Sequence, residues 1–189
     1  MQINAILWDL RGMSMHRIAF LLRVSAQAVL TWIRDLATAS YEKPEPTGRT
    51  IVRQCDALWH DLKNKRGKLW SWKALARDTG QLVDWEGGRR DKKTLKQRVE
   101  RLAQWAIQMS CMDKWAPSAS VIPQDKLLQS KATPHEIARN HCRQRHWFGR
   151  FKRKSIMVSK SHEMVEVPMA RFAQFWVNGN QDELLSLLT

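Results

Sequence analysis

The sequence predicts a protein of mixed α and β structure, in which a small helical region precedes one mixed β-sheet flanked by helices. Three observations lead to this fold class. Apolar residues recur at helical spacing over residues 1–36. Extended, strand-like runs dominate between Thr50 and Gly87. Helical and extended patterns then alternate, as expected where helices cover a sheet.

The composition is that of a folded and strongly basic protein. Of the 189 residues, 43% are hydrophobic, enough for a core in one principal domain with a small satellite. Thirty-two Lys and Arg against 18 Asp and Glu give a net charge of +14, which is typical of proteins that bind a polyanion such as nucleic acid.

Other locations and chemistries are disfavoured by the same composition. The mean hydropathy is −0.50 and no apolar run approaches the length of a membrane span. Met1–Leu10 lacks the basic start of a secretory signal, so we expect a cytoplasmic protein with no membrane partner. Cys55, Cys111 and Cys142 form no CxxC pair, which predicts reduced cysteines and no zinc ribbon.

The first elements are three predicted helices, Ala5–Leu10, Ser14–Leu22 and Ala26–Leu36. Ser25 is placed to cap the third helix. Ile18, Ala19 and Leu22 can pack on Val29, Trp32 and Ile33, which is a helix-turn-helix pattern. The predicted outward, DNA-reading side chains are Gln27, Thr31 and Arg34. The alternative is a helical hairpin with a solvated polar face.

The next segment separates two domains. Residues 41–49 contain two prolines and a glycine in a polar stretch, which is a linker signature. We therefore predict a helix-turn-helix domain over residues 1–40, a linker over 41–49 and a second domain over 50–189.

The second domain follows a recognisable order of elements. The predicted strands are Thr50–Leu62, Lys68–Leu75, Leu82–Gly87, Ile107–Met112 and Lys126–Gln129, and the predicted helices are Lys92–Ala106 and one that begins near Pro134. Lys63–Gly67 and Arg77–Gly80 read as turns. Three antiparallel strands, a helix, two further strands and a helix is the order of ribonuclease-H-like enzymes.

Two acids stand where such a fold could carry metal chemistry. Asp56 lies in the first strand and Asp113 ends the fourth. Mg²⁺ prefers oxygen ligands, and paired ions can clamp the attacking and leaving oxygens of a phosphodiester. A lone Asp at a strand end is more often a turn or capping residue, so the two acids alone leave both interpretations open.

A basic segment, residues 139–160, predicts contact with nucleic acid. It holds eight Lys or Arg and no acid, interleaved with aromatic residues. So many cations on one segment repel each other unless a polyanion neutralises them. The alternative is a merely solvated basic face. The cations are Arg139, Arg143, Arg145, Arg150, Lys152, Arg153, Lys154 and Lys160.

Several stretches resemble the insertion-sequence-one family of bacterial transposases. The similar segments are Gly12–Ile33, Lys68–Asp91, Asp113–Trp115, Ala119–Lys126, Gln129–Thr133, Arg139–Ser155 and Ser159–Ser161. The resemblance covers nearly the whole chain. It implies a ribonuclease-H-like DDE enzyme that uses two Mg²⁺ to cleave DNA at the ends of a mobile element and to join the freed 3′ hydroxyl to target DNA.

The resemblance also assigns roles and exposes a departure. It places the first two catalytic, metal-binding acids at Asp56 and Asp113. The family's third acid, a Glu, falls on Ala138, while the basic residue seven positions later is kept as Arg145. The implied partners are the terminal inverted repeats of a transposon, as double-stranded DNA, and further copies of the chain, on the bacterial nucleoid.

We therefore predict a protein that binds transposon-end DNA and cleaves it poorly, because without the third acid the second Mg²⁺ loses its anchor. One alternative is an active transposase, either with a rearranged site that uses Glu136 or as an engineered Glu→Ala trap of an active enzyme. Another alternative is a basic module that binds an acidic protein.

Overall fold

The computed structural model describes residues 1–39, 43–48, 51–130, 135–148, 151 and 159–179. Its architecture is mixed α+β, with a five-stranded mixed sheet and helices, as the sequence predicts. The chain divides into two compact units. Unit 1 consists of residues 1–42 and 143–189, and unit 2 of residues 43–142.

Three helices open unit 1: α1 (Gln2–Leu10), α2 (Met15–Leu22) and α3 (Ala26–Ala39). The Ser25 hydroxyl accepts a hydrogen bond of 3.0 Å from the N–H of Ala28, so the predicted cap is present. The core between the helices contains Ala5, Ile18, Ala19, Val29 and Ile33, with Leu22 and Trp32 packed at its edge. The helices and their contacts follow the sequence pattern.

The sheet forms unit 2's centre, in the order β3-β2-β1-β4-β5. Its strands are β1 (Ile51–Leu62), β2 (Asn64–Ala76), β3 (Leu82–Gly88), β4 (Ile107–Met112) and β5 (Leu127–Gln129). The first three pair antiparallel, and β4 pairs parallel with both β1 and β5. The alternation of strands and helices along the chain thus produces one mixed sheet.

The turn between β1 and β2 is tighter than predicted. Instead of a loop over residues 63–67, the chain reverses at Lys63, which has a positive φ of 64°, and β2 begins at Asn64. The Asn64 side chain accepts hydrogen bonds of 2.9 Å from the N–H groups of Arg66 and Gly67. An Asn side chain that satisfies backbone donors in this way stabilises a short reversal.

Three helices flank the sheet along the chain: α4 (Lys92–Arg101), the short α5 (Ala116–Ala119) and α6 (His135–Trp147). Asp91 caps α4 by accepting from the N–H of Thr94 at 2.8 Å. Helix α4 ends earlier than the predicted Ala106, because residues 102–104 tighten into a 3₁₀ turn that frees the chain to enter β4. The division between the units falls within α6, after Cys142.

Unit 1 is completed by α7 (Glu163–Arg171) and a π-helical turn, Phe172–Val177. Phe172 and Phe175 are buried. Phe175 packs with Ile6 and Leu10 of α1.

Candidate functional site

Two carboxylates lie side by side on one face of unit 2's sheet. Strands β1 and β4 are parallel neighbours, with Gln54 paired to Cys111. Asp56 and Asp113 each lie two residues beyond this pair. Because side chains alternate between the faces of a sheet, both acids leave the strands on the same side. The topology therefore brings together the two acids that the sequence singled out.

The surroundings of Asp56 disfavour its negatively charged form. Burial raises its pKa, the negative charge of Asp113 raises it further, and the N–H of Ala57, which donates to Asp56 Oδ1 at 2.7 Å, lowers it. The positive charges of Arg90 and Lys73 also lower it. The net pKa shift is upward and burial is its largest cause, so the folded protein disfavours the charged form of Asp56.

Asp113 is more accessible and already has a counter-ion. Its side chain is 41% exposed, and its Oδ2 accepts from the guanidinium of Arg90 at 2.9 Å. The same guanidinium lies over the rings of Trp70 and Trp115, at 4.9 and 5.4 Å from their centroids. Arg90 was not among the predicted site residues, although it borders both acids.

Three polar contacts join helix α6 to β1 and β2. The N–H of Ile137 donates to Gln54 Oε1 at 3.0 Å, and Lys73 Nζ donates to Asn140 Oδ1 at 2.6 Å. His141 Nδ1 lies 3.4 Å from Asp56 Oδ2. Since Lys73 is also the cross-strand partner of Asp56, these contacts fix the first turns of α6 beside the acid pair.

The third acid of the expected site is absent at Ala138, which is exposed in the first turns of α6. Glu136, two residues earlier, is partly buried and its carboxylate pairs with Arg139 at 2.9 Å. Residues two apart on a helix differ by about 200° of rotation, so only one of these two positions can face the acids.

A spacing signal for Glu136 is easily missed in the sequence. The family pattern places a basic residue seven positions after its Glu. Ala138 and Arg145 have this spacing, but so do Glu136 and Arg143. The spacing from Glu136 to Arg143 keeps both the acid and the base of the family pattern. It therefore favours an active site over an impaired one.

The acid pair fits one hard divalent cation. Carboxylate oxygens are the ligands that Mg²⁺ prefers, and a cation between Asp56 and Asp113 would stabilise the charged form of Asp56, which burial and then the charge of Asp113 disfavour. Within the part of the chain that the structure describes, no cluster of three or more His, Cys, Asp or Glu side chains could hold a metal. The described residues therefore offer two protein carboxylates, with water as the remaining ligands.

The predicted DNA-contacting residues have different environments. Gln27, Thr31, Arg139, Arg143 and Lys160 are exposed, and Arg145 is partly buried. The guanidinium of Arg34 pairs with Glu163 at 2.8 Å, and that of Arg143 donates to the carbonyl of Trp176 at 3.4 Å. Arg150, Lys152, Arg153 and Lys154 lie outside the described residues.

Lys73, Arg90 and His141 are the site residues that sequence reasoning missed. Each is distant in sequence from the acid that it adjoins, and each contact depends on the pairing of strands or on the docking of α6. The signals available beforehand were modest: a basic pair, Arg89 and Arg90, before a helix, and a His on the buried side of α6.

Comparison with known proteins identifies the family of the chain. The family model described as IS1 transposase matches residues 50–176, more than half of the chain. This match places the protein in the class of DDE transposases of insertion sequences. Within that class, the chain belongs to the IS1 transposase family.

Two individual similarities accompany the family match. The chain is 27% identical over 124 residues to the insertion element iso-IS1n protein InsB of Shigella dysenteriae, covering 66% of this chain and 95% of that protein. A chain of the simian T-cell lymphotropic virus intasome, solved in complex with PP2A regulatory subunit B56 gamma, is 9% identical, with 92% of this chain and 66% of that chain covered. Its TM-score of 0.42 does not establish a shared fold.

The described helices include none that is both long and apolar enough to cross a membrane.

Proposed function

We propose that this IS1-family transposase binds transposon-end DNA through its basic surfaces and cleaves it weakly. The observation that carries the proposal is the incomplete acid set. The parallel pairing of β1 with β4 supports a pair formed by Asp56 and Asp113, whereas the expected third position is Ala138.

The proposal assigns a role to each part of the chain. Helices α1–α3 act as a helix-turn-helix domain over residues 1–40, joined by a linker over 41–49 to a ribonuclease-H-like domain over 50–189. Gln27 and Thr31 read DNA from α3, and the basic segment 139–160 holds the phosphate backbone. The net charge of +14 supports binding of a polyanion. The chain acts as a homo-oligomer because a transposon has two ends to hold.

The cofactor of the proposed reaction is Mg²⁺, held by Asp56 and Asp113. When bound, it would polarise the scissile phosphodiester and lower the pKa of an attacking water. The chain's own contribution is to hold the two carboxylates in place, through the β1–β4 pairing and the contacts of α6 with β1. With two protein ligands, we expect weak binding of one ion and poor support for a second.

A gel-shift titration tests the DNA-binding half of this proposal. The probe is the terminal inverted repeat of a related insertion element, compared with a scrambled duplex of equal length at about 0.1 M salt. We expect the end sequence to bind at least tenfold more tightly, which is a modest specificity for a DNA-binding protein. Equal affinity for both duplexes would contradict recognition of transposon ends.

A second candidate function is full strand cleavage and transfer with Glu136 as the third acid. The seven-residue spacing from Glu136 to Arg143 favours it, as does the partial exposure of the Glu136 carboxylate, 40%. The ion pair between Glu136 and Arg139 joins two residues of one helix turn and is partly solvated. It is therefore weak, and a metal ion or DNA could replace it.

Two matched variants separate these candidates in a Mg²⁺-dependent nicking assay on end DNA. If the site is impaired at Ala138, A138E increases nicking and E136Q leaves it unchanged. If Glu136 is the third acid, the unmodified protein nicks DNA, E136Q abolishes nicking and A138E does not increase it. D113A is the control for both, because either site requires Asp113.

A further inference from the structure

The Arg90 side chain contacts two tryptophan rings beside the acid pair. Its guanidinium lies over the rings of two partly buried tryptophans, Trp70 of β2 and Trp115, two residues after Asp113 in the chain. Trp72, which packs against Trp115 at 5.5 Å between ring centroids, donates from Nε1 to the carbonyl of Arg89 at 2.9 Å. A backbone hydrogen bond beside Arg90 and the ring contacts of its guanidinium therefore both help to position this side chain.

The ion pair between Arg90 and Asp113 is less constrained than the contacts of Arg90 with the two tryptophan rings. The Arg90 side chain is 29% exposed and Asp113 is 41% exposed, so solvent screens their attraction and the pair can exchange. Among the described residues, Asp113 is the acceptor of the hydrogen bond from the Arg90 guanidinium, through Nη2, so this partly exposed cation has donor capacity beyond the ion pair. A planar cation held by aromatic rings with spare donors suits a tetrahedral oxyanion.

We propose that Arg90 is a phosphodiester-binding residue of this site. Its guanidinium pairs with Asp113 in the free protein and binds a DNA phosphate in the complex. This inference depends on the proposed DNA-binding function and specifies where a phosphate enters the acid site. Arg90 is the cation that borders both Asp113, by contact, and Asp56, through its charge. A phosphate that binds Arg90 is therefore brought to the carboxylate pair, which would otherwise repel it.

Binding of a random-sequence duplex of about 30 base pairs in EDTA tests this role without any metal. Loss of one phosphate contact lowers the slope of log affinity against log salt by about 1 and weakens binding by about eightfold at 0.1 M salt. We expect R90Q to show both effects. R90K, which keeps the charge but not the planar fork, should fall between R90Q and the unmodified protein.

The matched control for charge is R77Q, which removes an exposed arginine from the turn after β2. It should leave the salt slope within error of the unmodified value. Near-ultraviolet circular dichroism, which reports the tryptophans around Arg90, checks that R90Q and R90K remain folded. If R90Q does not fold, R90K carries the test.

Removing the acid that holds Arg90 gives a second and opposite prediction. D113N should bind the duplex several-fold more tightly, because it frees the Arg90 guanidinium, and this gain should disappear in the double variant D113N/R90Q. D125N removes one exposed negative charge elsewhere in the unit and should produce a smaller gain that R90Q does not abolish.

The possible outcomes are distinguishable. If the unmodified protein does not bind DNA, both the proposed function and this inference fail. If it binds DNA, but R90Q has the unmodified salt slope and the gain in D113N persists in D113N/R90Q, then Arg90 is only a structural counter-ion and this inference alone fails.

Discussion

At the scale of single residues, the environment of Asp56 and Asp113 comes from other elements: His141 of α6 lies against Asp56, and Arg90 pairs with Asp113. Asp56 and Asp113 can be found because the family motif marks them, and their proximity follows from parallel pairing of β1 with β4. The contacts of His141 and Arg90 could not be found, because they arise from the docking of α6 and from rings supplied by β2. A side chain's partners across a sheet are tertiary facts that local sequence does not encode.

The raised pKa of Asp56 predicts how its substitution changes stability with pH. A carboxyl whose pKa is higher in the folded than in the unfolded state stabilises the fold at low pH, and this contribution is lost as pH rises through the folded pKa. D56N, which keeps an acceptor for the N–H of Ala57, should therefore raise the free energy of unfolding at pH 7. The gain should shrink towards zero near about pH 3, below the ordinary pKa of Asp. Urea unfolding of D56N and the unmodified protein at both pH values measures this, and a gain that is equal at both values would contradict it.

The three cysteines should differ sharply in reactivity. Cys142 is exposed, whereas Cys55 and Cys111 are buried, and burial raises the pKa of the Cys55 thiol. Because the thiolate is the reactive form, we expect one thiol to react with Ellman's reagent in native buffer and all three to react in denaturant. C142S should remove the fast phase. A fast phase that survives in C142S would show that a buried cysteine becomes accessible.

At the scale of elements, hydrophobic period and capping residues predict most boundaries. The cap at Ser25 and the strand-like runs of β1 and β3 agree with the structure. The disagreements occur where geometry outweighs pattern. Helix α4 stops at Arg101 because the chain must turn into β4, and the turn at Lys63 uses Asn64 in place of a longer loop.

A buried charge cluster ties β3 to α4, and its loss should be costly. Asp84 is 2% exposed and pairs with Lys43, Arg98 and Arg101 at 2.9, 2.6 and 2.7 Å. Burial alone would raise the pKa of Asp84, but these cations lower it. D84N should lower the free energy of unfolding by about 3–5 kcal/mol, because it removes the near counter-ion of the buried Arg98 and leaves only Glu86 at 4.0 Å among the described acids.

Thermal or urea unfolding at neutral pH measures the effect of D84N. The matched control is D125N, which removes an exposed acid from the same unit and should change the unfolding free energy by less than about 0.5 kcal/mol. Because the folded pKa of Asp84 is low, the difference between D84N and the unmodified protein should fall only as the pH drops through that pKa. Similar stability of D84N and D125N would show that the cluster contributes nothing net.

At the scale of the whole molecule, segments that are far apart in the sequence form one compact unit. Residues 143–179 belong to the same compact unit as the N-terminal helices, and α3 is joined to α7 by the pair of Arg34 with Glu163. The sequence predicts the helices but not this grouping, because amphipathic segments far apart in sequence carry no local mark of which partner they cover. The division at residues 41–49 follows composition and stays a prediction about domains.

The buried pair of Asp9 in α1 and Arg171 in α7 tests how strongly unit 1 depends on this grouping. The two side chains are 10% and 1% exposed, so D9A leaves a buried cation unpaired and should cost about 3–5 kcal/mol of unfolding free energy. R171M should cost less, because Asp9 is nearer to solvent. The double variant D9L/R171M replaces the pair by apolar groups and should recover much of the stability lost in D9A. If D9A instead unfolds at the same denaturant concentration as the unmodified protein, α1 does not depend on this pair for its attachment to α7.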